Sequence, residues 1–138
     1  MSAPDLHSNT GHLLRRAMQL HNATWVERVS ASLTSPQYAV LLALTQHEDV
    51  DQRSVSEWVA LDKSTGGDVI GRLVGRGLIR RRRDDQDRRR NLLELTPDGR
   101  CTLDELTPRV VDFSRYLVDR LTAEERTTLN QLLKKLVF

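Results

Sequence analysis

The chain has 138 residues and a mass of 15.8 kDa, the size of one domain that buries roughly two-thirds of the surface its unfolded chain exposes. Charged residues make up 29% of it and no apolar run approaches the ~18 residues of a membrane span, so a soluble, cytoplasmic protein is expected. The one cysteine, Cys101, leaves no intrachain disulfide framework and no cysteine-rich zinc site. The formal charge of +2 conceals an asymmetry: residues 76–90 carry eight arginines against three aspartates, which makes that segment +5 and the remainder −3.

In chain order, residues 1–11 are polar and expected to fray. A long helix is predicted from about Leu13 to Ala31, with Leu14, Ala17, Met18, His21, Trp25 and Val29 on one stripe. Ser35 and Pro36 read as N-cap and first position of a second helix reaching about His47. Glu48 to Arg53 reads as a turn, and Ser54 with Glu57 matches a capping box for a helix of about two turns. Asp62, Lys63 and Ser64 supply the cap of a further helix that carries Val69, Ile70, Leu73 and Val74 on one side and stops at Gly77. Two helices joined by a tight turn form a helix-turn-helix.

Leu78 to Arg83 and Asn91 to Leu95 have strand character and flank the charged stretch Asp84 to Arg90, which predicts a β-hairpin wing with a basic loop. Thr96 and Pro97 then cap a long helix from about Asp98 to Arg120, and Thr122 with Glu125 caps the last. The fold class expected is mostly α with a small β-hairpin. The end of the chain, with Leu132, Leu133, Leu136, Val137 and Phe138, offers apolar surface that either folds back on its own domain or is covered by a second subunit.

These residues resemble the MarR family of winged-helix bacterial transcriptional regulators over nearly the whole chain. The family's wing pattern DxRxxxxxLT is met by Asp87, Arg89, Leu95 and Thr96, directly after Gly77, Leu78 and Ile79. Leu61 to Thr65 resembles the entry to the family's recognition helix, and Leu13 to His21 with Ser35 to Leu44 resembles its first two helices. The resemblance implies a homodimer, with about 12–34 and 98–138 as dimerisation helices and about 35–97 as the winged helix-turn-helix. It also implies binding to a palindromic operator in double-stranded DNA, as a repressor released by a small molecule such as an aromatic acid or a phenol.

Arginine suits this work, because its planar fork matches phosphates and guanine edges. On a narrow hairpin tip Arg89 can enter a minor groove while Asp87 orients a neighbouring guanidinium, and Arg88 and Arg90 are expected to meet phosphates. On a helical wheel Ser64, Gly67, Asp68, Gly71 and Gly75 lie opposite the apolar side of residues 64–76, flanked by Thr65, Arg72 and Arg76. Lys63, Ser64, Thr65, Gly67, Asp68 and Arg72 are therefore the DNA-facing candidates, with Asp68 expected to pair with Arg72. For the effector, Arg15, Arg16, His21 and Trp25 could hold a planar anion by charge, hydrogen bonding and stacking.

Other functions find less support. His7, His12, His21 and His47 show no metal spacing, and no nucleophile motif, phosphate loop or cofactor motif is present, so an enzyme is not expected. Cys101 reads as an incidental small residue. The competing reading is a winged helix whose basic hairpin contacts an acidic protein partner.

Overall fold

Six helices and one small sheet build the protein in this computed structural model, which describes residue 3 and residues 5–138. After a 3-10 turn at Leu6–Ser8 the elements are α1 (Thr10–Arg28), α2 (Ser35–Gln46), β1 (Val50–Asp51), α3 (Gln52–Trp58), α4 (Lys63–Gly75), β2 (Ile79–Arg83), β3 (Asn91–Leu95), α5 (Pro97–Leu117) and α6 (Ala123–Val137). The strands lie in the order β1-β3-β2, all antiparallel. Residues 1, 2 and 4 of the segment expected to fray lie outside the described residues; the rest of it contains the 3-10 turn and the start of α1, which Asn9 caps by accepting from the His12 backbone N–H at 3.0 Å.

Most boundaries follow the capping chemistry visible in the chain, with some corrections. The first helix, expected from about Leu13 to Ala31, runs from Thr10 to Arg28, because Asn9 caps it a turn earlier. Thr34, not Ser35, caps α2, because its hydroxyl accepts from the Gln37 N–H while the Gln37 side chain accepts from the Thr34 N–H. The segment read as a turn contains β1 and the start of α3. Asp51 rather than Ser54 is the cap there, accepting from the Ser54 N–H at 2.7 Å, and Glu57 instead pairs with Arg53 along the helix. Thr96 and Thr122 cap α5 and α6 as expected, while α5 ends at Leu117, three residues early.

The core is one cluster in which Val40 and Leu41 of α2, Val55 of α3, and Ile70 and Leu73 of α4 are completely buried. Trp25, Tyr38 and Phe113 tie α1, α2 and α5 together, and the Trp25 indole N–H donates to the Leu33 carbonyl at 2.8 Å. At the end of α4, Gly77 adopts φ +72°. There the Leu78 N–H reaches the Leu73 carbonyl and the Gly77 N–H the Val74 carbonyl, a left-handed cap that turns the chain into β2.

α6 buries none of its side chains, and Leu132, Leu136, Val137 and Phe138 stand in solvent, as do Leu13, Met18, Leu20 and Val26 of α1. The C-terminal helix therefore does not fold back on its own domain. No helix among the described residues is long and apolar enough to cross a membrane.

Candidate nucleic-acid interface

The helix-turn-helix is α3 and α4. Asp62 caps α4, its carboxylate accepting from the Thr65 N–H at 2.7 Å and from the Thr65 hydroxyl at 3.2 Å, and those bonds hold the Asp62 carboxyl below the ordinary range. The two helices touch closely at Gly66, which is buried. A Cβ there would overlap the Ser56 hydroxyl and lie 2.9 Å from the Ser56 Cβ, so only glycine lets α4 approach α3 this far. Gly67, Gly71 and Gly75, which a helical wheel singles out, meet no such close contact. Lys63, Ser64, Thr65, Asp68 and Arg72 are all exposed along one side of α4. The expected Asp68–Arg72 pair does not form among the described residues, and both side chains face solvent.

The wing is β2, β3 and their loop, with Ile79 opposite Leu95 and Arg83 opposite Asn91. Thr96 anchors its base: the hydroxyl donates to the Gly77 carbonyl at 2.6 Å, and the backbone N–H to the Leu78 carbonyl at 3.1 Å. At the tip the Asp87 carboxylate accepts from the Arg89 backbone N–H at 3.1 Å and weakly from its Nε at 3.4 Å. The Arg89 side chain has no other partner among the described residues and is 93% exposed. Arg88 is exposed as well. Arg90, expected on a phosphate, pairs with two carboxylates, Asp51 at 2.9 Å and Asp84 at 3.2 Å, and stays partly exposed, because the antiparallel pairing of β1 with β3 brings the cap of α3 beside the loop.

Between the wing and the helix-turn-helix lies a cleft of about 900 Å³ bordered by Gln52, Arg53, Lys63, Arg89, Arg90 and Asn91. Gln52, Arg53 and Asn91 were not singled out from the chain. Arg53 sits in a segment that reads as a turn, and Asn91 occupies a variable position of the wing pattern, so only their place in space marks them. The Gln52 Oε1 is buried without a hydrogen-bond partner among the described residues, and its Nε2 lies beside Gly67.

Two carboxylates brace the wing: Glu94 ties its two strands to each other, and Asp51 of β1 ties its loop to the start of α3. Glu94 is held below its ordinary value, first by donation from Arg82 and then from Arg80; Asp51 is lowered by the Ser54 N–H and then by Arg90. Since both folded-state values are depressed, their stabilisation is complete above the ordinary carboxylate range and is lost as pH falls through and below it. Hydrogen exchange in β2 and β3, corrected for its intrinsic pH dependence, should show flat protection from neutrality to about pH 5 and a loss below. A loss that begins near neutrality would point to a histidine instead.

A second cavity of about 330 Å³ opens at the C-terminal end of α1, bordered by Asn22, Trp25, Val26, Leu33, Thr34 and Pro36. Of the four effector candidates it includes Trp25 alone, and that residue is only 4% exposed. His21 stacks on Trp25 with centroids 6.4 Å apart, meets Phe113 edge-on at 5.1 Å and bonds Asn22. Arg15 and Arg16 lie exposed farther up α1 and border neither cavity. Among the described residues no group of three or more histidine, cysteine or acidic side chains is placed to hold a metal ion.

Residues 33–90 match the family model described as the MarR family. The transcriptional regulator HosA of Escherichia coli is 33% identical over 132 residues, spanning 96% of this chain and 97% of its own length. The chain belongs to the MarR family of transcriptional regulators. Among solved MarR-type structures, PcaV from Streptomyces coelicolor in complex with its natural ligand superposes with a TM-score of 0.94 at 42% identity, covering 99% of this chain and 96% of PcaV. Bordetella bronchiseptica BpsR, whose DNA binding is regulated by 6-hydroxynicotinic acid, superposes at 0.93 with 34% identity, covering 98% of this chain and 97% of BpsR. Membership in the MarR family accounts for the order of the elements described above, and the sheet with its basic loop is the wing of the MarR-type winged helix.

Proposed function

We propose that this MarR-family chain works in the cytoplasm as a homodimeric repressor of transcription, bound to a palindromic operator in double-stranded DNA and released by a small aromatic acid or phenol. The observation that carries the reading is the wing tip: Asp87 meets an arginine that is 93% exposed, across a cleft from the start of α4 whose border includes Lys63 and Arg89 as well as the Arg53–Glu57 and Arg90–Asp51 pairs. In this division of labour about 12–34 and 98–138 pair the subunits, and about 35–97 meet DNA. Exposed apolar side chains on α1 and α6 support the pairing. Lys63, Ser64, Thr65, Gly67, Asp68 and Arg72 face the major groove, Arg89 the minor groove and Arg88 a phosphate.

The mechanism is geometric. Two recognition helices must enter successive major grooves about 34 Å apart, and an effector that alters their separation by a few ångströms prevents simultaneous docking. His21 and Trp25 stand where α1 meets α2 and α5, the seam between the pairing helices and the DNA-binding part, with Arg15 and Arg16 as the charged arm of the site. Kinship with BpsR supports an aromatic acid as the ligand.

A gel shift on the promoter flanking its own gene, repeated with a panel of aromatic acids, tests the reading. Preference for one palindrome, a loss of about 10³ to 10⁵ in affinity between 50 and 200 mM salt, and release by one of the acids are the expected results. Binding without sequence preference, or an acidic protein that competes better than duplex, would overturn it. In the same assay Arg16→Ala and His21→Ala should raise the acid concentration needed for release by about tenfold, the loss of one charge-assisted hydrogen bond. Unchanged release in both removes these residues from the effector site.

A further inference from the structure

Four consecutive arginines, Arg80 to Arg83, lie on β2, and strand geometry sends alternate side chains to opposite faces. Arg80 and Arg82 share a face with Glu94 of β3. Arg80 donates to the Glu94 carboxylate at 2.8 Å, and Arg82 pairs with Glu94 and, at 2.7 Å, with Asp49. Those two guanidinium groups are occupied in holding the sheet to itself and to the α2–β1 turn. Arg81 and Arg83 are on the other face, directly opposite Leu93 and Asn91, and both are exposed. Among the described residues neither forms an ion pair with a carboxylate.

That second face begins at the buried Ile79, passes along α4 and ends at Asn91 on the rim of the cleft. Where it passes α4 the helix has Gly71, and the Arg81 Nη2 lies 3.9 Å from where a Gly71 Cβ would be. A guanidinium from the wing thus lies in ordinary contact with the place a Gly71 Cβ would occupy, where a longer side chain on the recognition helix would meet it. A cation placed there without a carboxylate to neutralise it, between α4 and a loop whose tip is Arg89, is available to an anion entering from the same side.

We propose that Arg81, next to Gly71, and Arg83 beside it bind DNA phosphates along the strip between the recognition helix and the wing tip, whereas Arg80, Arg82 and Arg90 position the wing. The inference rests on the DNA-binding reading above. It assigns the two groups to the phosphodiester backbone, so their contribution is independent of sequence and appears in the salt dependence of binding.

The test is fluorescence anisotropy of a random-sequence duplex titrated with full-length protein at several salt concentrations, for the parent, Arg81→Ala, Arg83→Ala, Arg80→Ala and Arg81→Lys. Each of Arg81→Ala and Arg83→Ala should reduce the slope of log K against log salt by about one, Arg81→Lys should restore it, and Arg80→Ala should leave it at the parental value. Gly71→Leu, which keeps the charge but crowds the guanidinium, should weaken binding while the helix remains folded, as leucine is the better helix former. If Arg81→Ala and Arg83→Ala keep the parental slope while the parent binds duplex in a salt-dependent way, this inference fails and the DNA-binding reading stands. If the parent shows no salt-dependent binding, the DNA-binding reading fails and takes the inference with it.

Discussion

Arg89→Ala should weaken operator binding by about 1 to 3 kcal/mol, roughly 5- to 150-fold, and leave the oligomeric state unchanged. The direction follows from where the side chain stands. Its backbone N–H is held by Asp87, whose carboxylate also meets its Nε weakly, so the guanidinium projects from the hairpin tip, and among the described residues it pairs with no other carboxylate. A narrow minor groove concentrates negative potential, and an arginine aimed there by a stiff hairpin profits more than one on a mobile chain. The loss should therefore exceed that of Arg88→Ala, whose side chain is exposed but has no such brace, and should be larger on an operator than on random duplex. Equal operator affinity for Arg89→Ala and the parent, measured at one salt concentration, would count against the wing as a groove reader. Sedimentation at matched concentrations reads the oligomeric state.

The second large effect is on stability. Ile70 is completely buried at the centre of α4, in the cluster with Val40, Leu41, Val55 and Leu73. Ile70→Ala removes three carbons from a site whose walls are formed by α2 and α3 as well as α4, and the cost combines lost transfer energy with the cavity left behind, about 2 to 5 kcal/mol. For a chain of this size the melting temperature should fall by on the order of 10 °C. In the proposed homodimer subunit association contributes to the melting temperature, so the comparison is made at one protein concentration. A decrease equivalent to less than about 1 kcal/mol would mean that α4 is not docked through Ile70. In the proposed reading the same helix separates its tasks by face, with stability on the side of Ile70 and Leu73 and DNA on the side of Ser64, Asp68 and Arg72.

Much of the fold could be read along the chain because its signals are local. Capping by Asp62, Thr96 and Thr122 depends on a side chain reaching a backbone N–H three residues on, and the left-handed turn at Gly77 depends on one residue without a Cβ. The places that were misread are those where a distant partner decides. Glu48 to Arg53 has the composition of a turn, yet Val50 and Asp51 pair with Leu93 and Leu92 some forty positions away, and that pairing makes Asp51 the cap of α3 in place of Ser54. A one-dimensional pattern contains no information about a two-residue strand whose only support is another strand.

The arginine cluster divides in the same manner. Composition alone determined that this protein carries a strongly basic segment, and the wing pattern with its turn and cap residues determined that the segment is a hairpin ending in Asp87 and Arg89. Which of those arginines remain free was decided by tertiary structure. Arg90 is engaged because β1 lies beside β3, Arg80 and Arg82 because Glu94 faces them across the strand pair, and Arg81, on the opposite face next to Gly71, has no carboxylate within reach among the described residues. Charge is a property of each residue and can be counted, but neutralisation requires an opposite charge within a few ångströms, and only the folding of remote segments against one another supplies that distance.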